Sequence, residues 1–250
     1  MSLEERVQYA SMKARHKNKL RPWYLKWWGI ILLAVVSLFL ILIIASGIYV
    51  IKKIQAINSG VATTNTEEEL QTYLTAISGE DDNSWGPIDA PVTIVEFGDF
   101  SCPYCEASYA SVKNIQANYS DKVRIIYRDY PLHDNSIFLA LSARCAGEQG
   151  KFWQMHDVFF ENQAKFNLTQ EELNIAIPAL AETLGLNAEQ FQNCLDTQKY
   201  FSKIKQDYDD GTYLQIQGTP TWFINNKPFT GAVSKEALQS MVEGLLNIIK

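Results

Sequence analysis

Hydrophobic and polar positions along the chain fall into three regimes. From Gly29 to Ile51, "GIILLAVVSLFLILIIASGIYVI", 23 residues pass without a charge. A helix needs about 20 apolar residues to cross a bilayer, so residues 29–51 are predicted to form a transmembrane helix. Residues 52–86 are rich in Ser, Thr, Asn, Gly and Glu and read as a linker. Within it Thr66 and Glu69 form a capping box, and Leu70, Tyr73, Leu74 and Ile77 follow at helical spacing, which predicts a short amphipathic helix.

The third regime, residues 87–250, alternates strand and helix signals. "VTIVEFGDF" (Val92 to Phe100) is β-branched and apolar, as a buried strand should be. "EASYASVKNIQANY" brings Tyr109, Val112 and Ile115 round at helical spacing, and "VRIIYRDY" (Val123 to Tyr130) predicts a second strand, completing a βαβ unit. From about 133 to 208 the pattern is helical. Thr169 with Glu172 and Asn187 with Gln190 mark helix starts, Pro178 should end or kink the helix between them, and Phe152, Trp153, Met155, Val158, Phe159 and Phe160 supply an aromatic face. "TPTWFINNKPFTG" then predicts a hairpin about Asn225 and Asn226, and "SKEALQSMVEGLLNII" a closing helix capped by Ser234. The fold class is α/β, with a helical subdomain inserted into a βαβ frame.

Charge orients this arrangement. Residues 1–28 carry seven basic side chains against Glu4 and Glu5, and a basic flank holds its side of a membrane helix in the cytoplasm. A cleaved signal has an apolar core of only about 7 to 15 residues, so an anchor is the better reading. The rest of the chain is then extracytoplasmic. Beyond Lys53 it holds 13 basic and 26 acidic side chains, a balance that argues against nucleic acid as a partner.

All four cysteines, Cys102, Cys105, Cys145 and Cys194, lie in that exported part, and an even count in an oxidising compartment suggests two disulfides. "FSCPYCEASY" places Cys102 and Cys105 where the first strand hands over to the helix. Three readings compete. A metal clip needs two further ligands nearby, but Cys145 and Cys194 belong to the helical insert and His16 lies across the membrane; a structural staple across three residues closes too small a loop to stabilise much. A redox pair gains from its place, because unpaired N–H groups at a helix N-terminus favour thiolate over thiol. Cys102 is therefore expected to be the exposed, low-pKa nucleophile, and Cys105 the inward-turned resolving thiol. His133 follows the second strand and borders that face; His156 reads as a hydrogen-bonded packing residue. Neither is assigned a catalytic role. Asn118 and Asn167 each begin an N-x-S/T triplet, read as chance occurrences.

"VEFGDFSCPYC", the helical insert, "CAGEQGKFWQMHD", "CLD" and "GTPTWFIN" together resemble the membrane-anchored DsbA-like thiol oxidases of the thioredoxin superfamily, in the C-P-Y-C branch with a second cysteine pair. The resemblance runs from about residue 85 to the C-terminus. It implies a thioredoxin-like fold in which Cys102 and Cys105 are the redox pair. Thr219 and Pro220 match the loop residue and cis-proline facing that pair, and Glu96 matches an acid beneath it that exchanges a proton with Cys105. It implies a structural bridge between Cys145 and Cys194. Its partners would be exported proteins with reduced cysteines and a quinone-linked membrane reoxidant of the DsbB or VKOR type, and it requires neither metal nor cofactor. A reductase or isomerase running the same pair in the other direction, or a tethered chaperone or copper-binding module using the same groove, are the alternatives.

Overall fold

The uncharged run forms one helix, α1 (Trp27–Val61), in the computed structural model, which describes residues 26–61, 72–76 and 83–248 and a few positions between 2 and 12. Its stretch Ile30–Val50 has a mean hydropathy of 3.0 and is unburied, so it is long and apolar enough to cross a membrane. The chain divides into two units, Met1–Thr64 and Asn65–Lys250.

In the second unit the elements run β1 (Ser84–Trp85), β2 (Val92–Gly98), α2 (Pro103–Asn118), β3 (Val123–Asp129), α3 (Ser136–Gly147), α4 (Phe152–Glu161), a 3-10 turn Gln163–Phe166, α5 (Gln170–Thr183), α6 (Ala188–Asp196), α7 (Phe201–Tyr213), β4 (Thr221–Ile224), β5 (Lys227–Thr230) and α8 (Lys235–Ile248). The sheet order is β1-β3-β2-β4-β5, with β2 and β3 parallel and every other pairing antiparallel. This is the thioredoxin-like α/β fold with its helical insert, which ends at Tyr213 rather than near 208.

Side-chain alternation assigns the two faces. On one face Val92 and Ile94 of β2, Val123 and Ile125 of β3, and Trp222 and Ile224 of β4 pack against Val112 and Ile115 of α2 and Leu238 and Val242 of α8. On the other, Val95, Phe97, Ile126 and Phe223 close over Leu74 and Ile216. Leu74 is fully buried there and Tyr73 donates to Asp210 at 2.5 Å, so the helical segment 72–76 packs on this unit. The capping box at Thr66 and Glu69 lies outside the described residues.

Local capping follows the sequence. Thr169 and Glu172 form both halves of the predicted box on α5, Asn187 caps α6 by accepting from Gln190 N–H at 2.9 Å, and Ser234 accepts from Ala237 N–H at 3.2 Å. Asn225 and Asn226 adopt φ of 43° and 68°, the left-handed values that a tight hairpin demands. Pro178 does not end the helix, because α5 runs through it from Gln170 to Thr183. The carbonyl that loses its N–H partner belongs to Asn174, an exposed residue, so solvent can satisfy it.

Two devices fasten the insert. Arg128 of β3 pairs with Asp207, at 2.9 Å, and with Asp210, while Arg144 of α3 pairs with Asp129 and Asp207, all of them buried. The second is covalent: Cys145 of α3 and Cys194 of α6 are joined across a separation of 49 residues. Replacing both by alanine should lower the unfolding free energy by about 4 kcal/mol, as loop-closure entropy for a ring of that size predicts, and chemical denaturation checks it. A loss under about 0.5 kcal/mol would show that the insert is held without the bridge.

Candidate active site

The site is assembled at the C-terminal end of β2, where the chain must turn from strand into helix. Asp99, buried directly after the strand, fixes that turn. Its carboxylate accepts from Ser101 N–H and Leu132 N–H, both at 2.8 Å, from the Ser136 hydroxyl, and it contacts His133 Nδ1 at 2.7 Å. Cys102 is the N-cap of α2, extended at φ −81° and ψ 122°, and its carbonyl accepts from Cys105 N–H and Glu106 N–H, each at 3.1 Å. Pro103 occupies the first helical turn, where a missing N–H costs nothing. From the insert, Gln163 Nε2 donates to the Phe100 carbonyl at 3.0 Å and the Cys102 carbonyl at 2.9 Å, tying the 3-10 turn to the cysteine loop.

Opposite stands the loop before β4, in which the Thr219–Pro220 peptide is cis. The Thr219 carbonyl accepts from Cys102 Sγ at 3.3 Å. Here the structure corrects the sequence reading. Cys102 is not exposed; at 3% accessible it lies under this loop, because position at a helix N-terminus says nothing about what packs over it. Pro103 and Tyr104, the latter 63% exposed, are the accessible members of the motif.

Cys102 and Cys105 are present as thiols, and their environments drive their acidities apart. A hydrogen bond from Cys105, donors at Thr219, and the N–H groups of Cys105 and Tyr104 outweigh burial and push the Cys102 pKa down to about 5. The Thr219 hydroxyl is buried with no partner among the described residues, so it is free to donate when the sulfur ionises. Burial first, then its hydrogen bond to Cys102 and the charge of Glu96, raises Cys105 well above an ordinary thiol. Glu96, fully enclosed on β2, is pushed up to about 8 by burial and by the Cys102 charge, so it holds its proton at neutral pH.

The structure thus brings Glu96, Cys102, Cys105, Thr219 and Pro220 together. Cys145 and Cys194 are bonded to each other within the insert. His133 lines a cleft of about 560 Å³ together with Ser101, Pro103 and Glu106, and its hydrogen bond to Asp99 raises its pKa. His156 is buried and held by Asp157 at 3.1 Å; burial lowers its pKa and keeps the ring neutral. Sequence reasoning missed Asp99 and Gln163. Asp99 carried a usable signal, an acid directly after a strand and three residues before a cysteine; Gln163 acts across 61 residues and carried none.

A parallel βαβ unit with C-x-x-C at the head of its helix and a cis-proline loop against it defines a thiol–disulfide oxidoreductase of thioredoxin-like fold. A family model described as thioredoxin matches residues 79–244, and the chain belongs to that family. Oxidised BdbD of Bacillus subtilis is 26% identical, with a TM-score of 0.59 over 66% of this chain and 92% of that one. A thioredoxin-like oxidoreductase of Silicibacter pomeroyi is also 26% identical, with a TM-score of 0.58 over 69% of this chain and 97% of its own. The catalytic domain of Proteus mirabilis ScsC, 21% identical with a TM-score of 0.59 over 71% of this chain and 98% of that one, shares the fold. Among curated proteins, a Na(+)/H(+) antiporter NhaA of Salinispora tropica is 33% identical over 185 residues, 72% of this chain but 27% of that protein. The chain spans about a quarter of the length of such relatives, and the transport in their names is not carried over.

The folded pKa of Cys102 lies below its ordinary thiol value, so ionisation stabilises the reduced fold. That contribution is complete above the unfolded thiol pKa of about 8.5 and is lost as pH falls through the folded value of about 5. Thiolate absorbance of the reduced protein should titrate with a midpoint near 5, and disappear in Cys102→Ser. The stability of the reduced form, measured against the oxidised form, should fall as the pH drops from about 8.5 to about 5 and change little below that. A midpoint in the ordinary range of about 8 to 9 would refute this account of the site.

Proposed function

We propose that this chain is a membrane-tethered DsbA-like oxidase that introduces disulfides into exported proteins through Cys102 and Cys105. The observation that carries the reading is the divergence of the two thiols, with Cys102 held near pKa 5 and Cys105 raised well above an ordinary thiol. A stabilised thiolate favours the reduced enzyme, which makes its disulfide oxidising. The apolar helix Ile30–Val50, with its basic N-terminal flank, supports a single-pass anchor with a cytoplasmic N-terminus and an extracytoplasmic catalytic unit.

In the forward reaction a substrate thiolate attacks Cys102 Sγ of the oxidised pair. The S–S bond breaks, and its electron pair leaves on Cys105, which takes the proton of Glu96. A second substrate thiolate then attacks the mixed disulfide at the substrate's own sulfur. Cys102 departs as thiolate, and needs no proton at neutral pH. The two electrons now on the pair pass to a quinone-linked membrane partner, of the DsbB or VKOR type. An extended substrate segment would lie along the backbone of the Thr219–Pro220 loop, in the manner of an added strand.

Cys105→Ser should accumulate mixed disulfides through Cys102, visible on non-reducing gels and absent in Cys102→Ser. The equilibrium potential of the wild-type pair should lie well above the thioredoxin value of about −270 mV, where about 30 mV corresponds to 1.4 kcal/mol. A potential near thioredoxin's, together with failure to oxidise a reduced protein, would overturn the oxidase direction.

A further inference from the structure

Beside the cysteine loop the surface is hollowed into two adjoining clefts. The first, of about 560 Å³, is lined by Ser101 and Pro103, the residues on either side of Cys102. The second, of about 490 Å³, lies among α3, α5 and α6 of the insert. Asp134 lines both, so the two meet at that residue and form one groove that leads away from the nucleophile. Its walls are apolar in part: Leu132, Leu139 and Phe166 in the first cleft, Ile137 and Leu195 in the second.

The fixed charges of this groove are acidic. Glu106 stands in the first cleft, Asp134 at the junction and Asp196 in the second, and neither cleft is lined by a lysine or an arginine. His133 also lines the first cleft, but it contacts the buried Asp99 carboxylate at 2.7 Å, so its charge when protonated is matched by one of opposite sign. Acids elsewhere on this unit have cations beside them: Asp157 with Lys113, Glu148 with Lys199, Asp209 with Lys205. Glu106 and Asp134, both exposed, are in no ion pair among the described residues.

Apolar walls edged by unpaired carboxylates fit a lysine or arginine side chain, which lays its methylene stem on apolar surface and keeps its cationic head at the rim. A second copy of this chain is a poor occupant. Beyond Lys53 it carries 26 acidic against 13 basic side chains, and so repels its own groove. We infer that the groove docks the client segment that flanks the reacting cysteine and selects basic side chains there, with Glu106 and Asp134 setting the preference. The inference rests on the proposed function above and names the class of client for the same cysteine pair. A basic residue a few positions from the client cysteine is held in the groove while the client thiolate attacks Cys102. Charge complementarity of this kind acts on encounter and binding, and leaves the exchange step to the cysteines.

Three dithiol peptides, alike except for arginine, glutamine or glutamate around the first cysteine, test this. Neighbouring arginine also sharpens the thiol's own reactivity, so each rate is divided by that of the same peptide with oxidised glutathione. The oxidised full-length protein in detergent should react about fivefold faster with the arginine peptide than with the glutamine peptide at low salt, the scale of one or two exposed ion pairs. The gap should close in about 0.5 M salt. Asp134→Asn should reduce the ratio to about twofold. The double variant Glu106→Lys/Asp134→Lys should invert it in favour of the glutamate peptide, a gain that misfolding cannot give. Each ratio compares peptides on one variant, so any change in Cys102 itself cancels. Equal normalised rates for the three peptides, or an arginine preference that survives both variants, would overturn the inference and leave the oxidase reading intact. A rate per enzyme that falls as enzyme concentration rises would assign the groove to a second copy and overturn it too. Oxidised protein inert to all three peptides would instead sink the oxidase reading, and this inference with it.

Discussion

An ionised sulfur in a nearly dry site is the constraint around which the rest of this unit is arranged. Burial alone would drive Cys102 toward the neutral thiol, and only donors that converge on one atom reverse that. Those donors come from separate parts of the chain: the first turn of α2, the thiol one turn along it, and the loop before β4. None can shift by much without changing the balance. The sheet supplies the rigidity, since β2 delivers the cysteine loop and pairs on its two sides with β3 and β4.

The helical insert belongs to the same problem. It covers the site, ties down the Cys102 carbonyl through Gln163, and is anchored to β3 by buried arginines and to itself by the Cys145–Cys194 bond. Buried ion pairs are weak sources of net stability, but an unpaired member is severely penalised, so the Arg128 and Arg144 cluster specifies one docking of α3 and α7 on the sheet.

The sequence was most legible where the information is local. The βαβ unit, the C-x-x-C junction, the caps at Thr169 and Asn187, and the Asn225–Asn226 hairpin each depend on residues a few positions apart. The faces of the sheet were not legible. β3 is buried at every position and β2 at all but one, so no polar alternation marks which side chains meet. The exposure expected for Cys102 failed because a helix N-terminus fixes local electrostatics but not the approach of a loop more than a hundred residues away. The arginine cluster joins β3, α3 and α7 over long separations, and left no mark in the linear pattern.

The outermost strands of the sheet have a consequence for how the molecule behaves among its clients. A sheet margin with free N–H and C=O groups is a template on which other chains can pair. Here one margin is only Ser84–Trp85, and the other, Lys227–Thr230, carries a lysine and Pro228, a residue with no N–H to offer. A protein proposed to handle reduced, incompletely folded chains can therefore engage them at the cysteine site while giving them little purchase along its flanks.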